Sequence, residues 1–340
     1  MRVLITGCSG FVGSNCLEYW LDKTDWQFLI IDSFRHKGTF SRLNAIENYD
    51  TSRIKVYNHD LTVPIDVVLE NQLLERTLDN KTTPIDMIIN MASDSAVERS
   101  VSNPGACWHN NCALIYNMLE FTRRVKPKVL YHISTDEVFG EVYDKPHHEW
   151  DVIMPSNTYA ASKAAQEALC IGYWRTYGVP VVLTNIMNMI GLWQDTEKFL
   201  PKLIWKIATD QQMEIYGEPG AIGSRYYLHA KNLADAIIFL SKMKPAMYLE
   251  GARRLDRYNI VGDVCLDNLE VAQLVAGYMG KKLKYRLIPS ESARPGYDKH
   301  YGLDGDKMNR LGWRLPLPTK EAIKEIVDWT LAHPWWLTTS

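Results

Sequence analysis

An α/β protein is predicted, built on a doubly wound parallel sheet followed by a smaller mixed α/β C-terminal lobe. Three observations predict it. Short, nearly continuous apolar runs recur through the first two-thirds of the 340 residues, the pattern of strands buried on both faces. Longer stretches of helical character separate them, and parallel strands need such crossovers. From about Thr184 the alternation loosens, and glycines and prolines gather at 217–223 and 288–302, marks of long loops that carry function. The division falls at residues 1–184 and 185–340, with room for the chain to cross between the two.

The strand runs are Val3–Thr6, Phe28–Asp32, Ile54–Asn58, Asp86–Asn90, Val129–Ser134 and Val181–Thr184. Helices are expected at Phe11–Lys23, Pro64–Leu78, Gly105–Arg124 and Thr158–Tyr177. In the second part, helices are expected near 197–209, 231–242, 266–279 and 320–332. Short strands are expected near 214–216, 257–260 and 284–287. A ligand cleft belongs at the carboxyl ends of the strands.

Composition removes several classes of function. Hydrophobic residues make up 46% and charged residues 23%, which excludes a disordered or fibrous chain. The net charge of −2 with both signs interspersed offers no footprint for nucleic acid. Six cysteines at 8, 16, 107, 112, 170 and 265 form no C-x-x-C pair, so they read as reduced thiols in a cytoplasmic protein. No apolar run approaches the roughly 18 residues of a membrane span, and Met1 leads into a strand rather than a signal segment. No membrane partner is expected.

Thr6-Gly7-Cys8-Ser9-Gly10-Phe11-Val12-Gly13 follows a strand and opens a helix. Glycines in that place let a pyrophosphate approach backbone donors at a helix N-terminus. Asp32, 19 residues beyond Gly13, closes the next strand, where a carboxylate binds both adenosine ribose hydroxyls and repels a 2′-phosphate. NAD is therefore favoured over NADP, although Arg35, His36 and Lys37 follow closely. The dinucleotide-binding set is Gly7, Gly10, Phe11, Val12, Gly13, Asp32 and Ser33, and Asp60-Leu61 after the third strand either accepts from the adenine amino group or forms a strand-end turn with a helix cap. Met91, Ala92 and Ser93 after the fourth strand complete it.

Tyr159 and Lys163 stand at i and i+4, on one face of a helix. A phenol with a pKa near 10 is a poor base at neutral pH, and a nearby cation favours the phenolate. Ser134-Thr135 ends a strand 24 residues upstream and offers a hydroxyl to the same reacting oxygen. Taken in this order, T-G-x-x-G-x-x-G, the Ser/Thr pair and Tyr-x-x-x-Lys resemble the extended short-chain dehydrogenase/reductase family, from Met1 to about Pro316. The resemblance implies a Rossmann sheet, bound NAD, held in part by Tyr159 and Lys163, and a nucleotide-diphosphate sugar as substrate. It also implies a homodimer through the helices at 105–124 and 158–177.

Asp136-Glu137 follows Thr135 directly. On a regular strand the two carboxylates point to opposite faces, so they reach one substrate only if the chain turns at Thr135. Paired acids separate their pKa values, leaving one ionised and one protonated, which suits removal of water from adjacent carbons. The Thr-Asp-Glu motif resembles that of dTDP-glucose 4,6-dehydratases. In the family, 4-epimerases lack the acid pair, and decarboxylases and GDP-mannose dehydratases typically keep only the Glu.

The same likeness implies substrate contacts at Ser95, Asn188, Lys198, Arg225, Arg294 and Tyr297. Ala96 and Tyr297 stand where those dehydratases carry histidine, and Asn185 where relatives often carry arginine. The implied chemistry gives Tyr159 and Thr135 the sugar 4-hydroxyl, Glu137 the C5 proton, and Asp136 the protonation of the leaving C6 hydroxyl. Lys163 is expected to hold the ribose and lower the Tyr159 pKa. The alternatives are a 4-epimerase or decarboxylase of the same fold, or a non-catalytic NAD-binding protein. No metal site is expected, and His147-His148-Glu149 reads as a solvated loop.

Overall fold

The computed structural model describes residues 1–35, 38–289 and 296–338. The chain begins β1 (Arg2–Thr6), α1 (Phe11–Lys23), β2 (Gln27–Asp32), α2 (Phe40–Asn44), β3 (Ile54–Asn58), α3 (Val67–Leu73), β4 (Met87–Asn90) and α4 (Val97–Ser102). It continues α5 (Pro104–Val125), β5 (Val129–Thr135), α6 (Thr158–Tyr177), β6 (Val181–Ile186), β7 (Asn188–Ile190) and α7 (Phe199–Ala208). Then come β8 (Met213–Glu218), β9 (Ala221–Ile222), β10 (Ser224–His229), α8 (Ala230–Leu240), β11 (Asp256–Ile260) and β12 (Cys265–Asp267). The last elements are α9 (Asn268–Tyr278), β13 (Tyr285–Ile288), α10 (Asp306–Arg310) and α11 (Thr319–Ala332).

Seven parallel strands form the main sheet in the order β11-β6-β5-β4-β1-β2-β3. Alternate residues serve opposite faces, as the period of a strand requires. Val3 and Ile5 pack with Trp20 of α1 and Ile237 of α8, whereas Leu4 packs with Leu114 and Met118 of α5 and Trp174 of α6. The doubly wound sheet with a smaller mixed lobe is therefore what the chain forms. Strand order reverses between β1 and β4, and the crevice beyond their carboxyl ends is where ligands of such sheets bind.

Two elements differ from expectation. The helix expected at Pro64–Leu78 is only Val67–Leu73: Asp66 caps its start by accepting from Leu69 N, and Glu75 takes a left-handed φ of 48° just past its end. The strand near 257–260 does not stay with the second part of the chain. It pairs in parallel with β6, Asp256 opposite Val182, so the chain returns to the main sheet.

The smaller lobe holds two three-stranded sheets, β12-β10-β7 and β13-β8-β9. Each mixes a parallel and an antiparallel pair. Leu203, Ile204, Val275 and Ile326 form its core with neighbouring apolar residues. The C-terminal Trp336 lies 5.2 Å from Trp193, closing the lobe over the segment that leads from β7 to α7. Arg42 of α2 donates to the Trp193 carbonyl and to Asp195, tying that segment to the main sheet's side. The loop at His147–Glu149 is more enclosed than expected: His147 stacks on Phe139 at 5.3 Å and Glu149 is buried.

Candidate active site

Three strand ends converge on the glycine loop. Ser9 N donates to Asp32 across 3.0 Å, and Ala92 N donates to the Thr6 hydroxyl at 3.2 Å. Gly7 has a φ of 69°, and a Cβ there would stand 2.8 Å from the Ala92 backbone. A Cβ on Gly13 would meet Cys8 Cα at 2.5 Å, so α1 enters against the loop with no room for a side chain. Gly10 caps α1 without any side-chain acceptor, which leaves the first N–H groups of the helix for a ligand. The buried hydroxyls of Ser9 and Ser93 have no hydrogen-bond partner among the described residues.

That donor set fits a dinucleotide pyrophosphate, with Phe11 and Val12 in the first turn and Ser33 just beyond Asp32. Met91 N reaches the Thr6 carbonyl, so the fourth strand's end borders the same cradle. Asp60 accepts from Thr62 and pairs with Arg35 at 2.5 Å, while the Leu61 carbonyl accepts from Asn117.

The chain turns at Thr135, as two adjacent acids require. A single 3₁₀ turn, Asp136–Phe139, begins there, capped by the Thr135 hydroxyl. Gly140 closes it with φ 79°, and a Cβ at that position would lie against the Met154 carbonyl. Below the turn, Asn185 Nδ2 donates to the Thr135 carbonyl and to Glu167, and Ser134 donates to Glu167. Arg257 completes this layer: its guanidinium donates to Asn185 and pairs with Glu167 at 2.6 Å, all buried. The guanidinium beside Asn185 thus comes from β11.

Thr135, Asp136, Glu137 and Tyr159 form one assembly. Thr135 Oγ1 donates to Asp136 Oδ1 at 2.9 Å, and its hydroxyl is near enough to the Tyr159 phenol to oppose the rise of that phenol's pKa. Burial, then the neighbouring Glu137 charge, pushes the Asp136 carboxyl up to about 7. The Tyr159 phenol is pushed well above its ordinary value by burial and by the Glu137 and Asp136 carboxylates. Lys163, expected to draw the phenol down, donates instead to the Ile133 carbonyl at 2.8 Å, and burial lowers its own pKa to about 8. From the protein's own groups, then, the phenol is not yet a base. It needs a further positive charge beside it.

Of the residues expected to meet a substrate, Arg225 is near enough to Asp136 for its charge to oppose the rise of that carboxyl's pKa. Its guanidinium sits over the rings of Tyr297 and Tyr301, at 5.4 and 5.1 Å, and its Nη1 is buried without a hydrogen-bond partner among the described residues. Asn188 Oδ1, in β7, is likewise buried and without a partner there. Lys198 caps α7, and Ser95 is exposed in the loop before α4. Arg294 lies outside the described residues. Among those described, no three His, Cys, Asp or Glu side chains are grouped as metal ligands.

Two neighbours of the acids escaped sequence reasoning. Asn157 donates to Glu137 Oε2 at 3.1 Å while its oxygen caps α6. Its place just before a helical run marks a cap, though nothing local marks its second bond. Tyr301 is buried, and burial followed by the Glu137, Asp298 and Asp136 carboxylates raises its phenol pKa. It stands three residues beyond the Arg-Pro-Gly-Tyr-Asp run, and no local pattern marks it.

The chain is similar to known proteins along nearly its whole length. The chain is 29% identical to the dTDP-glucose 4,6-dehydratase of Salmonella typhimurium, over 99% of this chain and 94% of that one. It is 27% identical to the low-salt glycan biosynthesis protein Agl12 of Haloferax volcanii, over 97% and 99%. Among solved structures, DesIV of Streptomyces venezuelae, a dTDP-glucose 4,6-dehydratase with NAD and TYD bound, superposes with a TM-score of 0.84. Its identity is 26%, and the match covers 99% of this chain and 98% of that one. A UDP-glucose 4-epimerase of Thermus thermophilus in complex with NAD shares the fold, at a TM-score of 0.78 and 24% identity over 96% and 98%. A family model described as GDP-mannose 4,6 dehydratase matches residues 4–326, and the chain belongs to that family, within the extended short-chain dehydrogenase/reductases.

Proposed function

We propose that the protein is an NAD-dependent hydro-lyase, a dTDP- or UDP-glucose 4,6-dehydratase that forms a 4-keto-6-deoxy sugar nucleotide. One observation carries this reading: two adjacent acids share a buried turn beside Tyr159, and Asp136, which accepts from Thr135, has its carboxyl pushed up to about 7 by burial and the Glu137 charge. NAD, when bound, would supply the hydride acceptor for C4 and the donor for C6, and in its oxidised form a positive charge that favours the phenolate. Gly7, Gly10 and Gly13 would admit its pyrophosphate, Asp32 its ribose, and Lys163 the second ribose. Arg225, with Asn188, Lys198 and Tyr297, would hold the nucleotide diphosphate, because guanidinium and ammonium groups in a cleft match phosphate charge.

Tyr159, as phenolate, takes the proton of the sugar 4-hydroxyl, with Thr135 bonded to the same oxygen. The 4-ketone acidifies the C5 hydrogen. Glu137, oriented by Asn157, removes that proton while Asp136 protonates the departing C6 hydroxyl. Glu137 then returns its proton to C5. A 4-epimerase or a decarboxylase has no use for an acid beside a base at C5 and C6, and a protein that only binds NAD has none for Tyr159.

The test is incubation with dTDP-glucose and UDP-glucose, followed by product mass and the 4-keto chromophore in alkali. Loss of water supports the reading. An unchanged mass with inverted C4, loss of carbon dioxide from a uronic acid, or no turnover at all sinks it. The exposed Trp108 and Tyr116 on α5, a helix that packs against α6, suit a homodimer contact, which light scattering would test. Six free cysteines suit a cytoplasmic setting. Among the described residues, no helix is long and apolar enough to cross a membrane.

A further inference from the structure

We propose that Asn185 is a positioning residue for the loss of water: locked by Arg257 and Glu167, it grips the Thr135 carbonyl and so fixes the turn that carries Asp136 and Glu137. The assignment rests on the dehydratase reading and names what holds the acids of that site in place.

Asn185 lies in β6 opposite Ser134 of β5. Its amide nitrogen donates to the Thr135 carbonyl at 2.9 Å and to Glu167 Oε1 at 2.8 Å, and its oxygen accepts from Arg257 Nε at 2.8 Å. Both N–H bonds and the oxygen are thus engaged. Arg257 continues to Glu167 Oε2 at 2.6 Å, and Ser134 donates to Glu167 Oε1 at 2.5 Å. Asn185, Glu167 and Arg257 are each at most 1% exposed, so bulk water cannot stand in for a lost partner.

These neighbours allow the amide one orientation. A guanidinium only donates, whereas a backbone carbonyl only accepts, and so does the carboxylate paired with Arg257. Turned end for end, Asn185 would set its NH₂ group against Arg257 Nε and its oxygen against two acceptors. The Thr135 carbonyl would then lose this donor. Arg257 and Glu167 therefore decide, from opposite ends of the amide, which group Thr135 meets.

Thr135 is where β5 gives way to the acid turn. Its hydroxyl caps Asp136–Phe139 by accepting from Glu137 N, while its carbonyl is held from β6 by Asn185. At the far end of the turn the Phe139 ring lies 4.7 Å from the Arg257 guanidinium. One buried layer thus supports the turn at both ends. Tyr159 stands on α6, outside the turn, so a displaced turn disturbs water loss from C6 more than hydride removal from C4. A misplacement of about 1 Å at a reacting group costs ~10²-fold in rate.

The test compares wild-type, N185A, R257K and N185A/R257K holoenzymes on whichever of dTDP-glucose or UDP-glucose the wild type dehydrates. Thermal unfolding beforehand shows which variants are folded at the assay temperature. N185A should lose ~10²-fold in kcat with KM unchanged. It should also hold reduced nicotinamide during turnover, visible by its near-ultraviolet absorbance, because oxidation outruns water loss. Lysine keeps the charge opposite Glu167 but cannot fork to a second acceptor, so R257K should show the same pattern to a smaller degree. R257K carries the test alone if N185A does not fold. The double variant should be no slower than N185A, since Arg257 acts through the amide. An unchanged kcat, a change confined to KM, or slow turnover with the cofactor oxidised throughout would overturn the role of Asn185. No effect of R257K, or multiplication of the two single effects, would overturn the lock and leave Arg257 bearing on the turn at most through Phe139. Failure of the wild type to release water from either sugar would instead overturn the dehydratase reading.

Discussion

Asn157 and Glu137 are joined by a 3.1 Å hydrogen bond in which one end of the asparagine amide holds the acid while the other end caps α6. A single side chain thus fixes the candidate C5 base relative to the helix that carries Tyr159. Asn157→Ala should lose the cap, at a cost of about 1 kcal/mol, and release Glu137. Asn157→Asp should keep the cap but set a carboxylate against Glu137. Thermal unfolding and turnover together check this: the Asp variant should stay near wild-type stability with activity lower by at least ~10-fold. Equal loss of stability in both variants, with activity unchanged in the Asp form, would detach Asn157 from the chemistry.

The acid half of the pair sets a pH limit. Asp136 must be protonated to deliver a proton, and its carboxyl lies at about 7 through burial and the Glu137 charge. The rate of water loss should therefore fall as pH rises through about 7. Glu137→Ala or →Gln removes the neighbouring negative charge, so Asp136 should ionise at lower pH in either variant. Infrared titration of the carboxyl in the variants, against D136N, measures that displacement directly. A carboxyl band that titrates near 4 in the wild type would contradict the acid assignment.

The same burial affects stability, and the sign follows from linkage. A carboxyl raised in the folded state from its ordinary 3.8 to about 7 contributes no penalty at low pH and an increasing one as pH climbs from about 4 to 7. Fully developed, the penalty is on the order of 4 kcal/mol, at roughly 1.4 kcal/mol for each factor of ten in acidity. Asp136→Asn should thus be more stable than wild type at pH 8 and nearly equal to it at pH 4. Denaturant unfolding at the two pH values would show it. A site that gains stability when its acid is removed has been shaped for chemistry at the expense of its own folding.

What the letters disclosed and what they withheld divides along chain distance. The glycine loop, Tyr159–Lys163 and Thr135–Asp136–Glu137 each sit within one short run, and each demands a local conformation that its own residues announce. Gly7 and Gly140 take positive φ, and Thr135 caps the turn that follows it. The layer beneath the turn has no such announcement. Arg257 reaches Glu167 across 90 residues and Asn185 across 72, because β11 pairs with β6, and parallel pairing leaves no mark in a five-residue strand. Nor does the Tyr-x-x-x-Lys spacing show that the ammonium is bonded to the Ile133 carbonyl, while two carboxylates raise the phenol's pKa.

That buried layer yields a prediction of its own. Arg257 and Glu167 are 1% and 0% exposed, and Arg257 also lies 4.7 Å from the Phe139 ring. Removing one partner leaves an uncompensated charge out of water, so Arg257→Met should cost roughly 3–5 kcal/mol. Replacing both, Arg257→Met with Glu167→Gln, should recover part of that loss, because the stranded carboxylate is gone. A double-mutant cycle by urea unfolding reads the coupling. Simple addition of the two single effects would show that the pair is not energetically joined.

Three glycines should respond differently to the same methyl group. At Gly13 a Cβ would stand 2.5 Å from Cys8 Cα and 2.6 Å from the Gly7 carbonyl, all backbone that cannot rotate away. Gly13→Ala should push α1 off the loop, costing about 1–3 kcal/mol and abolishing NAD retention. At Gly10 the nearest atom is the Gly7 carbonyl at 3.3 Å, a contact relieved by a few tenths of an ångström, so the alanine variant should keep its fold and weaken NAD retention modestly. Gly105 lies in the first turn of α5, and a Cβ there would have nothing within 4 Å. There alanine gains helix propensity and should stabilise by up to about 1 kcal/mol. Thermal unfolding, together with NAD binding by each purified variant, checks the order. A Gly13→Ala protein that folds and holds NAD as the Gly105→Ala protein does would mean that the loop tolerates a side chain where α1 meets it.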